Sequence, residues 1–320
     1  PTQESIILRK TKVLKDRRGK KKKQKIDLEY KDTRDTNKMR RDLAKYNNLL
    51  RRTHIWVQAN GFSFPAYNIT NKFTARIFTN DFEHGGRFYR NHWVEMASDK
   101  PANKNIQNRS HIRIGRQRTV EVDFTAMHLS LLYAHSRGID YWKLFGTNHD
   151  PYLPEQSVIR CLGKNYKTES RADQPFVKET KRYIRTINKA FFRIAINSEN
   201  RKNTIKTLKD DESYKDLEGW IEIAGIDVGL LIDDFCRQHY RVAGDLYSNI
   251  GLKLQYIDSL ISAKVLNACT QKGICALNVH DSNIVAIEHE EFLIHQMKSA
   301  YKNVLGERTH TTFVDPKLKT

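Results

Sequence analysis

The segments TVEVDFTAMH (119–128) and ALNVHDSNIVAIE (276–288) predict two strand ends, each carrying an aspartate. In the first, a strand rich in β-branched residues runs into Asp123, and a leucine-bearing helix follows. In the second, Asp281 lies at a polar tip between two continuously apolar strands, as expected for strands buried on both faces. A carboxylate at the edge of a buried sheet is costly without a counter-charge.

Two interpretations of this pair are open. Asp281 can simply form a turn while Asp123 caps the following helix. Alternatively, carboxylates on two strand ends can hold a pair of Mg²⁺ ions about 4 Å apart, an arrangement that stabilises the attacking and leaving oxygens of a phosphoryl transfer.

The composition is that of a globular protein that binds a polyanion. Hydrophobic residues make up 39% of the chain and charged residues 29%, and no apolar run approaches the roughly 18 residues of a transmembrane helix. The net charge of +19 and the pI near 9.7 favour nucleic acid as the partner. The four cysteines form no C-x-x-C pair, so neither a zinc site nor a disulfide framework is indicated. We expect a cytoplasmic protein that does not bind membranes.

The segment KRYIRTINKAFFR (181–193) predicts an amphipathic helix with a basic face. Lysine and arginine recur every four residues and so share one face, while isoleucine and phenylalanine form the opposite stripe. The bland interpretation is a solvated surface helix. Like charges at this spacing repel one another, however, so the stripe is better explained if it faces phosphates.

No stretch rich in Pro, Gly or Ser divides the chain cleanly. We expect a disordered basic arm over residues 1–30, because its run of Lys and Arg has little apolar surface to bury. An N-terminal helix and the first part of a sheet follow over 31–140. A helical subdomain is predicted over 141–225, and the second part of the sheet, with the Asp281 hairpin, over 226–320.

VDFTAMH and VHDS resemble motifs A and C of the family A, DNA polymerase I-like nucleic-acid polymerases. The resemblance implies an α+β right-hand fold with an antiparallel palm sheet, helical fingers and a reduced or absent thumb. It also implies that Asp123, Asp281 and the main-chain carbonyl of Phe124 hold two Mg²⁺ ions. His280 and Ser282 then flank the second carboxylate.

The basic helix is similar to motif B of the same family, whose Arg and Lys bind the triphosphate of the incoming nucleotide. Arg185 and Lys189 match these two positions, and Arg193 falls where the family has a stacking aromatic. His128 stands five residues after Asp123, where the DNA polymerases of the family carry a Glu that excludes a ribose 2′-hydroxyl. Because His is also bulky, the resemblance favours deoxynucleotides.

Several segments are predicted to contact nucleic acid. TARIFTN (74–80) is similar to the family segment that touches the primer and template backbones. GGRFYRNHW (85–93) combines arginines with flat aromatic rings, a mixture that suits phosphates and stacked bases, although it would also suit an aromatic core patch. GLKLQYIDSLIS (251–262) occupies the place of the helix that inspects the minor groove. The predicted contacts are Arg76, Arg87, Arg90, Gln255, His280, Lys20, Lys21, Lys22 and Lys23.

Together these features predict a DNA-directed DNA polymerase that uses a DNA primer-template and nucleoside triphosphates. The stretch between the arm and residue 74 is too short for a proofreading exonuclease, as expected for a minimal phage- or plasmid-type enzyme. Two alternatives stay open. One is a primase or RNA polymerase that uses ribonucleotides, and the other is a polymerase-derived nucleic-acid-binding protein without catalysis.

Overall fold

The computed structural model describes residues 3–15, 21–59, 65–97, 108–163, 174–223 and 225–320. Helices and strands both make up large parts of these ranges, so the predicted α+β class is confirmed. The chain forms two compact units, which we call the sheet unit (Pro1–Leu131 with Lys253–Thr320) and the helical unit (Leu132–Leu252).

The strands in the described ranges are β1 (Ile6–Lys15), β2 (Lys21–Leu28), β3 (Ile55–Val57), β4 (Tyr67–Asn68), β5 (Ala75–Thr79), β6 (Asp81–Tyr89), β7 (Ile112–Ile114), β8 (Gln117–Phe124), β9 (Leu277–Val279), β10 (Ser282–Ala286) and β11 (Leu318–Lys319). The α-helices are α1 (Arg34–Arg52), α2 (His92–Glu95), α3 (Met127–Arg137), α4 (Tyr141–Phe145), α5 (Glu155–Leu162), α6 (Pro175–Ala195), α7 (Arg201–Lys209), α8 (Glu212–Lys215), α9 (Glu218–Ile223), α10 (Val228–Gln238), α11 (Gly251–Gln271) and α12 (Glu290–Thr309).

The larger sheet carries both aspartates. Its strand order is β4-β3-β7-β8-β10-β9, with β11 also paired to β8, and every pairing is antiparallel. Along β8 the side chains alternate, so that Val122 and Phe124 are buried while Glu121 and Asp123 lie on the opposite, partly exposed face. The Phe124 ring stacks on Tyr301 of α12 at 5.9 Å, which fixes the end of β8 on the core.

The smaller sheet corrects the prediction of a disordered arm over residues 1–30. Its order is β2-β1-β5-β6, and β1 runs parallel to β5. The apolar run from Ile6 to Leu8 is buried beside β5, and β2 then pairs along β1 to form a hairpin. Burial of this short apolar run offsets the entropy lost when the segment becomes ordered. The lysines alone could not offset that loss. Lys20 lies outside the described residues, and of Lys21–Lys23 only the main chain is described.

The helical unit is longer than the predicted subdomain 141–225, because residues 132–140 and 226–252 also belong to it. The reason is the apolar face of α10. Phe235 packs against Phe191 and Phe192 of α6, with ring centroids 5.7 and 6.1 Å apart. Among the helices of the described ranges, none has both the length and the apolar character needed to cross a bilayer.

Candidate active site

The strand register brings the two predicted aspartates together. In the β8–β10 ladder Asp123 lies opposite Ser282, the residue that follows Asp281. The main-chain nitrogen of Phe124 donates a hydrogen bond to the carbonyl of Asp281 at 3.4 Å. Asp123 therefore lies at the end of its strand and Asp281 in the adjacent hairpin, at one edge of the sheet, as the sequence predicted.

The hairpin between β9 and β10 is a tight turn formed by His280 and Asp281. His280 adopts a φ of 58°, the left-handed region that a non-glycine residue rarely occupies. Such strain is typical of functional turns, where the surroundings hold an unfavourable backbone. The His280 ring packs edge-on against Tyr89 at 5.6 Å, and burial together with the charge of Arg87 lowers its pKa to about 4. His280 is thus a neutral ring beside the aspartate.

The Asp123 carboxylate is partly buried next to a second negative charge, which disfavours its ionised form. Burial and the negative charge of Asp281 raise its pKa to about 6. Lys319 opposes this shift, because its Nζ lies 3.2 Å from Asp123 Oδ2. The contact follows from the pairing of β11 with the last residues of β8, which sets Lys319 opposite Asp123.

A third carboxylate, Glu121, accompanies the pair. Both of its oxygens accept hydrogen bonds from Arg109, at 2.8 and 2.9 Å, and Ser282 Oγ donates to it at 2.6 Å. A cavity of about 330 Å³ opens between these side chains and the two aspartates. Sequence reasoning missed Glu121, although the two-residue period of a strand places it on the same face as Asp123.

The residues present fit Mg²⁺. The side chain of Phe124 is buried in the core and carries no ligating atom, so only its main-chain carbonyl could act as a ligand. Within the described ranges, no group of three or more His, Cys, Asp or Glu is arranged to hold a metal ion. Mg²⁺ is usually bound by one or two carboxylates and completes its shell with water and substrate phosphates. Asp123 and Asp281 supply two carboxylates of this kind, one of them already paired with Lys319, and the binding of Mg²⁺ there stays a prediction.

Arg87 and His128 meet inside the sheet unit. The Arg87 side chain is 13% exposed, and its Nε and Nη2 each lie 2.7 Å from Asp258 Oδ2 on α11. Nη2 also donates to His128 Nε2 at 2.9 Å. Burial and the positive charge of Arg87 lower the pKa of His128 to about 3, so the ring is neutral. Asp258 is a residue that sequence reasoning missed, although a lone aspartate in the apolar segment of α11 was a visible signal.

The buried position of Arg76 does not support the predicted contact with nucleic acid. Its side chain donates to Gly86 O and to Ser259 Oγ, both at 2.9 Å, and lies over the rings of Phe78 and Phe88. An arginine pairs readily with aromatic faces in a core, which the sequence pattern alone could not distinguish from phosphate contact.

Arg90 and Gln255 are more accessible. Arg90 is one-third exposed (33%), and its Nη2 lies 4.0 Å from Asp27 Oδ2. Gln255 is partly exposed on α11. Both are therefore placed where a ligand could reach them, and their contact with nucleic acid stays a prediction.

The basic helix α6 is amphipathic as predicted, with Ile184, Ile187 and Phe191 buried. Two arginines of its basic face already have acidic partners within the helical unit. Arg185 donates to Asp150 Oδ2 at 2.8 Å, and Arg193 pairs with Asp211. These residues belong to the helical unit and the aspartates to the sheet unit, so a common site with Arg185, Lys189 and Arg193 stays a prediction.

No protein-family model and no curated protein matches the chain. Among solved structures, the chain is similar to the POL domain of Pol1 from M. smegmatis, determined in complex with a DNA primer-template and dNTP. The alignment covers 89% of this chain and 50% of that chain, with a TM-score of 0.43 and 12% identity. This chain therefore spans half the length of the polymerase chain that it matches.

Proposed function

We propose that the chain is a nucleotidyltransferase that extends a DNA primer on a DNA template, without proofreading. The sheet unit would be the palm of a right-hand polymerase and the helical unit its fingers, with the thumb reduced or absent. The observation that carries the proposal is the juxtaposition of Asp123 and Asp281 at one edge of an antiparallel sheet. Two like charges at a partly buried edge destabilise the fold, so a cation-dependent reaction explains them better than stability does.

The proposed reaction transfers a nucleotidyl group. The primer 3′-oxygen bonds to the α-phosphorus of the incoming triphosphate, the bond to pyrophosphate breaks, and the hydroxyl proton is released. Asp123, Asp281 and the Phe124 carbonyl would hold two Mg²⁺ ions, which when bound stabilise the attacking and leaving oxygens. The chain's own contribution is to fix these ligands on two rigid strands.

Substrate recognition would use basic residues in addition to the two aspartates. Arg185, Lys189 and Arg193 would neutralise the triphosphate, and Arg185 would exchange its Asp150 partner for phosphate. The bulk of His128 would exclude a ribose 2′-hydroxyl. The predicted contacts to the primer-template in this proposal are Arg90, Gln255, His280 and the basic hairpin with Lys20, Lys21, Lys22 and Lys23.

Extension of a labelled primer on a DNA template tests the proposal, with Mg²⁺ and with deoxynucleotides and ribonucleotides in parallel. The wild-type chain should extend the primer with deoxynucleotides. Asp123→Asn and Asp281→Asn should each lose about a thousandfold or more in rate, because a lost ligand removes several kcal/mol of charge stabilisation. DNA binding should change little, since Lys and Arg contacts dominate affinity.

Asp315→Asn is the matched control, because Asp315 is an exposed carboxylate of the same unit paired with Lys298 and Lys302. It should keep full activity. DNA binding without extension by the wild type would refute catalysis. Extension with ribonucleotides alone would replace the proposal with the primase-like alternative.

A further inference from the structure

Asp258 is a fully buried carboxylate that the proposed reaction does not yet use. It lies on α11 with an exposure of 0%, and only its Oδ2 is engaged, by the Arg87 guanidinium at 2.7 Å. Oδ1 is buried and makes no hydrogen bond within the described residues. Half of the carboxylate's hydrogen-bonding capacity is therefore unused.

A buried pair of this kind is poorly explained by stability. Moving both charges out of water costs more than their attraction usually returns, and apolar residues of similar volume are often as stable or more so. Burial raises the pKa of Asp258 to about 6, against the opposing effect of Arg87. Although burial alone would lower the pKa of Arg87, the charges of Asp258 and Asp281 raise it. Arg87 therefore stays a guanidinium cation, with Asp258 as its counter-charge.

Arg87, which Asp258 holds in place, in turn fixes the His128 ring. A guanidinium can only donate, so the 2.9 Å contact between Nη2 and His128 Nε2 requires Nε2 to accept. The neutral ring must then carry its proton on Nδ1. One arginine, whose Nε and Nη2 are both held by Asp258, thus sets both the orientation and the tautomer of His128. The three residues come from β6, α3 and α11, so the arrangement depends on the tertiary fold rather than on local sequence.

We propose that Asp258 is a positioning residue, which holds Arg87 so that His128 keeps one orientation and one tautomer and thereby sets the sugar selectivity of the enzyme. The inference rests on the proposed function, because it assigns the selectivity of that reaction to His128. A steric filter discriminates strongly only when it is rigid, since a side chain that swings away lets the extra hydroxyl in.

The first test observes the tautomer of the His128 ring directly and does not require the protein to be active. Long-range proton–nitrogen spectra of the full chain with ¹⁵N-labelled histidine report which ring nitrogen is protonated, and His128→Gln identifies the signal among the 12 histidines. The wild type should show Nδ1–H at pH 7, and Asp258→Asn should show a mixture of tautomers. A proton on Nε2 in the wild type, or an unchanged signal in Asp258→Asn, would overturn the proposal.

The second test measures the ratio of kcat/KM for deoxynucleotides to that for ribonucleotides. Asp258→Asn should lower the ratio about tenfold or more while leaving KM for the DNA unchanged. In the His128→Ala background the same substitution should add nothing, because Asp258 acts through His128. Additive effects would show that Asp258 acts by another route and would contradict the proposal.

Asp234→Asn is the matched control, because Asp234 is also a buried helical aspartate, paired with Arg160 and Arg237 in the helical unit. It should lower stability without changing the His128 signal or the sugar ratio. Where Asp258→Asn fails to fold, Arg87→Lys replaces it, since an ammonium cannot donate to Asp258 from two nitrogens as Nε and Nη2 of the guanidinium do. A wild type that incorporates neither sugar would refute the proposed function, whereas the spectra would still decide whether Asp258 fixes His128.

Discussion

Lys319 Nζ lies 3.2 Å from Asp123 Oδ2, so a lysine is the counter-charge of a carboxylate that we propose to bind a metal ion. Strand β11 sets this contact by pairing with the last two residues of β8. Because both cations need the same carboxylate, Lys319 and a divalent ion should compete.

Lys319→Met should therefore raise the affinity for Mn²⁺, an observable substitute for Mg²⁺, about three- to tenfold. The effect is modest because Lys319 is 67% exposed and its attraction to Asp123 is screened by water. Electron paramagnetic resonance of free Mn²⁺ measures it without any reaction. Lys264→Met, which removes the exposed pair with Glu307, is the control and should leave the affinity unchanged. Equal affinities in the wild type and Lys319→Met would contradict competition.

The N-terminal hairpin should contribute to stability. Ile6 is fully buried where β1 pairs with β5, so Ile6→Ala should lower the free energy of unfolding by about 2–5 kcal/mol. Lys12→Ala, at an exposed position of the same strand, should change it by less than about 0.5 kcal/mol. Urea unfolding measures both. If the Ile6→Ala protein were as stable as the wild type, the result would support the disordered arm that the sequence predicted.

The positions of the two aspartates could be predicted from the sequence because their signal is local. Alternation along β8 and the polar turn between two apolar strands placed Asp123 and Asp281 correctly, since strand period and turn chemistry are short-range properties. The hairpin at the N-terminus was missed because its stability comes from Ile6 against β5, a contact between distant segments. The many lysines of this segment led to the prediction of disorder. In the structure, burial of the short apolar run is enough to order the strand.

Arg76 and Asp258 show why partners are harder to predict than positions. A basic residue among aromatics has the same pattern whether it faces phosphate or lies over Phe78 and Phe88 in a core. Likewise, nothing near Asp258 in sequence points to Arg87, which lies 171 residues away along the chain. Such pairings depend on tertiary structure, so they cannot be predicted from sequence periodicity.

Asp150 should restrain Arg185 on α6, the helix proposed to bind the nucleotide. Arg185 donates to Asp150 Oδ2, whereas Asp150 Oδ1 accepts from the Tyr152 main chain. Asp150→Asn keeps the second contact and weakens the first, so it should lower KM for all four nucleotides a few-fold. Lys189→Ala should instead lower kcat/KM for every nucleotide. Steady-state extension kinetics measure both effects, and an unchanged KM in Asp150→Asn would show that Arg185 does not bind the triphosphate.

The helical unit should lose stability in mild acid through His239. This ring lies in the buried aromatic core, where its Nδ1 contacts the Tyr133 hydroxyl at 3.0 Å and its Nε2 the Pro151 carbonyl at 2.8 Å. Burial lowers the pKa of His239 to about 4. In the unfolded chain the pKa returns to about 6.5, so between these values the unfolded state binds more protons than the folded state.

The contribution of His239 to the free energy of unfolding is therefore fully present above about pH 6.5. It falls as the pH decreases toward 4, by at most about 3 kcal/mol. His239→Gln should be less stable than the wild type at pH 7.5 and should lose less on going to pH 5. Urea unfolding followed by tryptophan fluorescence reports this, because Trp142 and Trp220 both lie in the helical unit. His310→Gln, at an exposed position, should keep the wild-type pH dependence. A His239→Gln protein with that same dependence would assign the acid sensitivity to other groups.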